Sequence, residues 1–416
     1  MHSKPKHRIR LLSSKTCFSK LAFFFTSVAL ILLISHIATA ENPVFEAIGT
    51  DNRPSPENIE RGWISLFDGE TLFGWKAQSN ADWKVSDGTI KATRGDKGLL
   101  RTTTQFSNYE LSVDFKATAQ TNSGVFLRTS PAPKNATDGC YEINIAPETD
   151  PFPTGSIVEH SRVKQPIESD DQWHNLRMII SGDLGEVFLD GQKVSIISAG
   201  GLGRGYIGLQ FRKHEVQFRN IFLNPLDLKP LLTNKGLDKW ISDGSGETTF
   251  TINEAQQLQM QSGPGQLESK QHFADFVLSA KIKTNAKGLN SGIFFRCIPG
   301  EKMNGYESQI QNQMVDGDPT KPFDCGTGGI FRRQNARRIV AQDKQWFYKT
   351  IVAVGPHISV WVNGYQVTDW TDKRKPDANP RRGLRLSAGS IMLQGHDPTT
   401  DVLFEKINAA ELLPRR

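Results

Sequence analysis

One heptapeptide constrains this chain more than any other feature. Asn122-Ser-Gly-Val-Phe-Leu-Arg128 returns as Asn290-Ser-Gly-Ile-Phe-Phe-Arg296. Other landmarks recur around it in the same order. Tyr109-Glu-Leu-Ser-Val-Asp-Phe-Lys116 is matched by Phe276-Val-Leu-Ser-Ala-Lys-Ile-Lys283, and Gly139-Cys-Tyr-Glu-Ile-Asn-Ile145 by Gly305-Tyr-Glu-Ser-Gln-Ile310. Trp173-His-Asn-Leu176 is matched by Trp346-Phe-Tyr-Lys349, Val187-Phe-Leu-Asp-Gly191 by Val360-Trp-Val-Asn-Gly364, and Gly208-Leu-Gln210 by Met392-Leu-Gln394. Ordered self-similarity of this kind means two copies of one domain in tandem. We place them at residues 62–226 and 231–414.

Within each copy the hydrophobic period is two. From Tyr109, the residues Leu111, Val113 and Phe115 share a face, as a half-buried strand requires. Asp190-Gly191 between the apolar runs Val187-Phe-Leu189 and Lys193-Val194 is a hairpin signal. The chain has 36 glycines, which suits frequent turns, and no long amphipathic helical pattern. Each copy is therefore expected to be all-β: an antiparallel sandwich of jelly-roll topology with its own core, able to fold separately.

The first 40 residues are set apart from the fold. Lys4, Lys6, Arg8, Arg10, Lys15 and Lys20 precede an apolar run from Leu21 to Ile37, and Ala38-Thr39-Ala40 follows. Charged, apolar, then small is the order of a secretory signal peptide. A retained anchor over 21–37 is the alternative, although the run is at the short end of the ~17–25 residues that span a bilayer. Residues 41–61 read as a linker. The formal charge of +6 then belongs to the leader, since the remainder holds 44 basic against 44 acidic residues. The charge then gives no support for nucleic-acid binding, which would need a basic footprint on the folded part. Beyond Cys17 in the leader, Cys140, Cys297 and Cys325 stand either as buried thiols or with a Cys297–Cys325 disulfide.

These landmarks resemble the 3-keto-disaccharide hydrolase family, which includes 3-keto-glucoside 1,2-lyases and 3-keto-2-hydroxy-glucal hydratases. The resemblance is carried by Leu66-Phe-Asp-Gly69, Gly74-Trp75, the two Asn-Ser-Gly strands, Tyr141-Glu142, Trp173-His174-Asn175, Val216-Gln-Phe-Arg-Asn-Ile221, Tyr306-Glu-Ser-Gln309, Gly326-Thr-Gly-Gly-Ile330 and Leu393-Gln-Gly-His396. It implies a concanavalin A-like jelly roll, a 3-keto-glycoside substrate and a separate sugar 3-dehydrogenase that makes that substrate. In such a sugar the C3 carbonyl acidifies the C2 proton. A base removes it, the C1 substituent leaves, and water adds back.

Several residues could carry this chemistry. Strand alternation puts Glu307, Gln309 and Gln311 on one face, which makes either a sugar-contacting row or a solvated face. The first copy has a shorter row, Glu142 and Asn144. The resemblance places His396, beside Gln394, at a functional position, and an imidazole titrates near neutral pH. At the matching place the first copy has Arg212. Arg128 and Arg296 end the Asn-Ser-Gly strands, where a fork of donors either holds hydroxyls or an enolate oxygen or makes a surface ion pair. Arg332 belongs to a cluster with Arg333, Arg337 and Arg338 that is either a solvated face or a substrate-gathering rim. We therefore expect Glu307, His396 and Arg296 as catalytic residues of the second copy. Gln309, Gln311, Gln394, Arg332, Glu142 and Arg128 are expected in substrate binding. Asp316-Gly-Asp318 leaves a divalent metal open, but it lacks the EF-hand spacing. No nucleotide-binding or nucleophile-elbow motif is present, so no redox cofactor is implied. A non-catalytic pair of lectin-like modules is the alternative function.

Overall fold

The protein was analysed as a computed structural model that describes residues 47–415 except 168–169, 199–200, 243 and 245. The expected signal peptide lies outside the described residues. Among the described residues no helix is long and apolar enough to cross a membrane.

The two copies form two antiparallel sandwiches of the same topology, and the fold is all-β. In the first, a five-stranded sheet runs in the order Tyr141–Ile145, Asn122–Thr129, Tyr206–Lys213, Gly98–Thr102, Trp75–Ala77. In the second, the equivalent order is Tyr306–Ile310, Ser291–Cys297, Gly389–Gly395, Gly265–Phe273, Trp240–Ser242. An eight-stranded sheet backs each one. Non-consecutive strands lie side by side in every sheet, which is the mark of jelly-roll connection. The register repeats as well: Phe126 faces Glu142 and Gly124 faces Asn144 in one copy, Phe294 faces Glu307 and Gly292 faces Gln309 in the other.

Alternation builds the cores. Tyr109, Leu111, Val113 and Phe115 are fully buried between the sheets of the first sandwich, and Leu278, Ala280 and Ile282 take the same places in the second. Two tryptophans tie the start of each copy to its core. Trp75 Nε1 donates to the Leu66 carbonyl at 2.6 Å, and Trp240 Nε1 donates to the Leu231 carbonyl at 2.9 Å. A buried indole N–H needs such an acceptor.

The halves share apolar packing and hydrogen bonds. Trp361, Val277, Val352 and Val354 of the second copy pack into the apolar cluster of the first. Trp361 Nε1 donates to the Ser65 carbonyl at 2.8 Å, and Asp369 accepts from Thr103 Oγ1 at 2.7 Å. The stretch expected as a linker is ordered from Ala47 on. It makes a hairpin, Gly49–Thr50 with Arg53–Pro54, and a helix, Pro56–Arg61. Ser55 caps the helix by accepting from the Asn58 amide, and Gly62, at φ 103°, ends it in the left-handed region. Glu60 of this helix pairs with Lys281 at 3.0 Å. Cys140, Cys297 and Cys325 are buried free thiols, and burial pushes Cys140 and Cys325 up to about 12.

Candidate functional site

The site is built on the outward face of the five-stranded sheet of the second copy. In Tyr306–Ile310, Tyr306 and Ile310 point into the core and Glu307 and Gln309 point out. The face expected from alternation is therefore the face observed. It is nevertheless not solvated: Glu307 is 5% exposed and Gln309 is 1% exposed. A Cβ at Gly292 would lie 2.8 Å from Glu307 Oε1, so the glycine of the Asn-Ser-Gly strand is what lets the glutamate lie flat across its neighbour. Gly124 leaves the same space for Glu142 in the first copy.

Burial pushes the Glu307 carboxyl up to about 7, against the opposing pull of Arg381, His396 and Lys349. Arg381 Nη2 donates to Glu307 Oε2 at 3.4 Å and to the Met303 carbonyl at 3.2 Å, and its guanidinium lies 5.1 Å from the Phe294 ring centre. Beneath the sheet, Lys349 crosses the core from the opposite sheet. Its ammonium donates to the Ser308 and Gln309 carbonyls at 3.2 and 2.6 Å and is fully buried, which pulls it down to about 7.

A polar chain runs from this carboxylate row to His396. Gln309 Nε2 donates to Asn290 Oδ1 at 2.7 Å, and Asn290 Nδ2 lies 3.3 Å from His396 Nε2. His396 Nδ1 lies 2.8 Å from Asp397 Oδ2. The network assigns the proton: Nδ1–H donates to Asp397, and Nε2 accepts from the Asn290 amide. That is the tautomer of a base, with an orienting carboxylate behind it.

The structure brings Glu307, Gln309, Gln394 and His396 onto this face. Gln394 Nε2 lies 3.4 Å from Met303 Sδ, and Gln394 Oε1 and Gln309 Oε1 are buried without a partner. Arg332 is exposed and borders the 90 Å3 cavity beside Glu307, with its guanidinium 5.1 Å from the Phe331 ring. Gln311 is turned to local work, donating to the Gly288 carbonyl at 3.3 Å and accepting from the Gln313 amide at 3.0 Å.

Arg296 does not join them. At φ 48° it sits in a register shift between Phe294 and Cys297, and the break in alternation swings its side chain away from the face. Its guanidinium is 0% exposed and donates to the carbonyls of Ala274 and Gly355 at 2.7 Å each and to Asp275 at 3.0 Å. Arg128, at φ 49°, does the same with the Ser107 and Gly182 carbonyls and Asn108. Both arginines hold strand ends to loops. Asp316-Gly-Asp318 makes a local turn in which Asp318 accepts from Thr320 and pairs with Lys321. Among the described residues no three His, Cys, Asp or Glu side chains are grouped to hold a metal.

Sequence reasoning missed Arg381, Lys349 and the linking role of Asn290. Arg381 lies in residues 372–388, between the strands Tyr365–Thr371 and Gly389–Gly395. The first copy has only residues 199–205 between Gln192–Ser198 and Tyr206–Lys213, and this length difference was the available signal. Lys349 signalled itself too, as a lysine in register with the buried Phe347 and Ile351.

A polar sheet face floored by a buried carboxyl, repeated in two sandwiches, places the protein in the class of tandem jelly-roll β-sandwich proteins. The chain belongs to the family described as the 3-keto-alpha-glucoside-1,2-lyase-like domain, which matches it twice, over residues 62–224 and 227–409. A curated relative, a 3-keto-disaccharide hydrolase of Bacteroides thetaiotaomicron, is 28% identical over 117 residues, which are 25% of this chain. The matched stretch spans 40% of that relative's length. Among solved structures, a Parabacteroides distasonis protein assigned as a glycosyl hydrolase is similar at 20% identity and TM-score 0.37, over 42% of this chain and 99% of its own. A Bacillus licheniformis beta-glucanase is similar at 13% identity and TM-score 0.32, over 44% and 96%.

Proposed function

We propose that the chain is an exported enzyme that cleaves 3-keto-glycosides by elimination and hydration, with the chemistry in the second sandwich. The observation that carries this reading is the joint presence, on one sheet face, of a base-competent imidazole, a carboxyl that titrates near neutrality and a guanidinium beside it. His396 Nε2 takes the C2 proton. The electron pair moves to the C3 oxygen as an enolate, and Arg381, rather than the distant Arg296, is the cation that stabilises it. The C1–O bond breaks as the enolate pair returns, and protonated Glu307 gives its proton to the departing oxygen. Water then adds at C1 and a proton returns to C2, for net hydrolysis. The cavity beside Glu307 holds 90 Å3, so the substrate lies across the open face toward His396 and presents one edge there. A sugar 3-dehydrogenase would supply the keto group, since the substrate has to be oxidised at C3 before its C2 proton becomes acidic. The leader motif, with a mature chain starting near Glu41, supports export.

The test is to incubate the full chain with 3-keto-trehalose in D2O. Released glucose together with 3-ketoglucose labelled at C2 is the expected result. Release without label would show direct hydrolysis, and no release would remove the enzymatic reading.

A further inference from the structure

The first sandwich carries a site of different chemistry at the equivalent place. The sequence between Gln192–Ser198 and Tyr206–Lys213 is short, among the described residues no arginine closes over Glu142 as Arg381 closes over Glu307, and a cavity of 380 Å3 opens instead of one of 90 Å3. That volume suits a sugar unit. Glu142, 3% exposed, and Gln210, whose Oε1 is buried without a partner, face it, with Leu99 and Phe126 beside them. Lys97, Lys134 and Arg212 complete the lining.

The charge is unbalanced. Three cations line the cavity against the single carboxyl of Glu142, which burial pushes up to about 7 and so leaves part-protonated at neutral pH. Among the described residues no salt bridge engages the side chains of Lys97, Lys134 or Arg212. Asp138 and Asp150 are not among the lining residues, and both carboxyls are turned to nearby backbone amides. Asp138 accepts from the Lys134 amide at 3.1 Å, and Asp150 accepts from the Phe152 amide at 2.9 Å. A chain with 44 basic and 44 acidic residues outside its leader does not produce this excess by composition. Arg212 also stands where the second copy has His396. A guanidinium cannot act as a base, but it is the best side chain for gripping a planar carboxylate or a sulfate through two parallel N–H bonds.

We propose that this pocket binds an anionic sugar, a carbohydrate unit bearing a carboxylate or a sulfate. Arg212 grips the anion, Lys97 and Lys134 add to the attraction at the mouth, and Glu142 and Gln210 meet the hydroxyls on the floor. The first sandwich thereby holds an acidic glycan while the second acts on its own substrate.

Titration calorimetry on the full chain tests this with methyl glucuronide, glucose 6-sulfate, methyl glucoside and inorganic sulfate. A charged sugar should bind at least about tenfold more tightly than methyl glucoside, and Arg212→Gln should lose about tenfold, the scale of one charge-assisted hydrogen bond. The paired Lys97→Gln, Lys134→Gln variant should flatten the salt dependence. Which charged sugar binds better identifies the anion. Equal affinity for glucuronide and glucoside would overturn the proposal. So would inorganic sulfate binding as tightly as the sulfated sugar, or an Arg212→Gln variant that binds like wild type.

Discussion

Replacing Lys349 with methionine should stabilise this protein near neutral pH, although it removes two hydrogen bonds. The ammonium is fully buried and falls from 10.5 to about 7. A depressed folded value gives a contribution that is fully present above the unfolded pKa near 10.5 and is lost as pH falls toward 7. Each pKa unit corresponds to ~1.4 kcal/mol, so by pH 7 the loss is about 4 kcal/mol. The two bonds to the Ser308 and Gln309 carbonyls return ~0.5–1.5 kcal/mol each. Lys349→Met should therefore gain on the order of 1–3 kcal/mol at pH 7, and the gain should vanish or reverse near pH 10. Leu176 fills the matching position of the first copy with 0% exposure, so the slot accepts an apolar side chain of this size. Urea midpoints of variant and wild type at pH 7 and pH 10, at constant m, measure the effect. A variant destabilised equally at both pH values would refute the reasoning, because it would mean that the lysine is charged and well paired in the fold.

Three further outcomes follow from the same geometry. Gly292→Ala puts a Cβ 2.8 Å from Glu307 Oε1, so it should displace the carboxyl and lower turnover by ~10²-fold with the unfolding midpoint little changed; steady-state kinetics beside a urea melt would show whether the two separate. Arg296→Met leaves the Ala274, Gly355 and Arg385 carbonyls without this donor, while Asp275 keeps Arg204 at 2.7 Å and the Gly355 amide at 2.8 Å; it should cost on the order of 1–3 kcal/mol for each buried carbonyl left unpaired, read by denaturation, with no selective loss of kcat in protein that remains folded. Glu307→Gln should stabilise the fold above pH 7, since a carboxyl raised to about 7 gives stability that is full below pH 4.5 and is lost as pH rises through 7; paired melts at pH 5 and 8 should diverge in that direction.

The repeat, the strand pattern and the outward face of Glu307 were legible because each depends on local alternation along one strand. The closing of Glu307 by Arg381 was not, because it depends on where residues 372–388 fold, and no period in the sequence encodes that. Arg296 shows how a regular pattern misleads. Its position at the end of a strand suggests an outward donor, but a single residue with φ 48° reverses the direction of the side chain. Lys349 breaks the apolar alternation of Trp346–Val354 and was visible in principle. What it contacts, two carbonyls of a strand in the opposite sheet, is visible only in three dimensions. Nothing in the sequence around the glycine of Asn-Ser-Gly announces its role, which in both copies is to make room for a neighbouring glutamate.

Turnover of a 3-keto-glucoside by His396→Ala, compared with Arg212→Gln, bears most directly on where the chemistry lies. His396 Nε2 lies 3.3 Å from the Asn290 amide and its Nδ1 2.8 Å from Asp397, whereas Arg212 occupies the same position of the first copy and cannot take a proton. His396→Ala should lower kcat by ~10²–10⁴, the usual effect of losing a general base, and Arg212→Gln should leave kcat within about twofold of wild type. Equal losses in the two variants, or full activity in His396→Ala, would contradict a single catalytic site in the second sandwich.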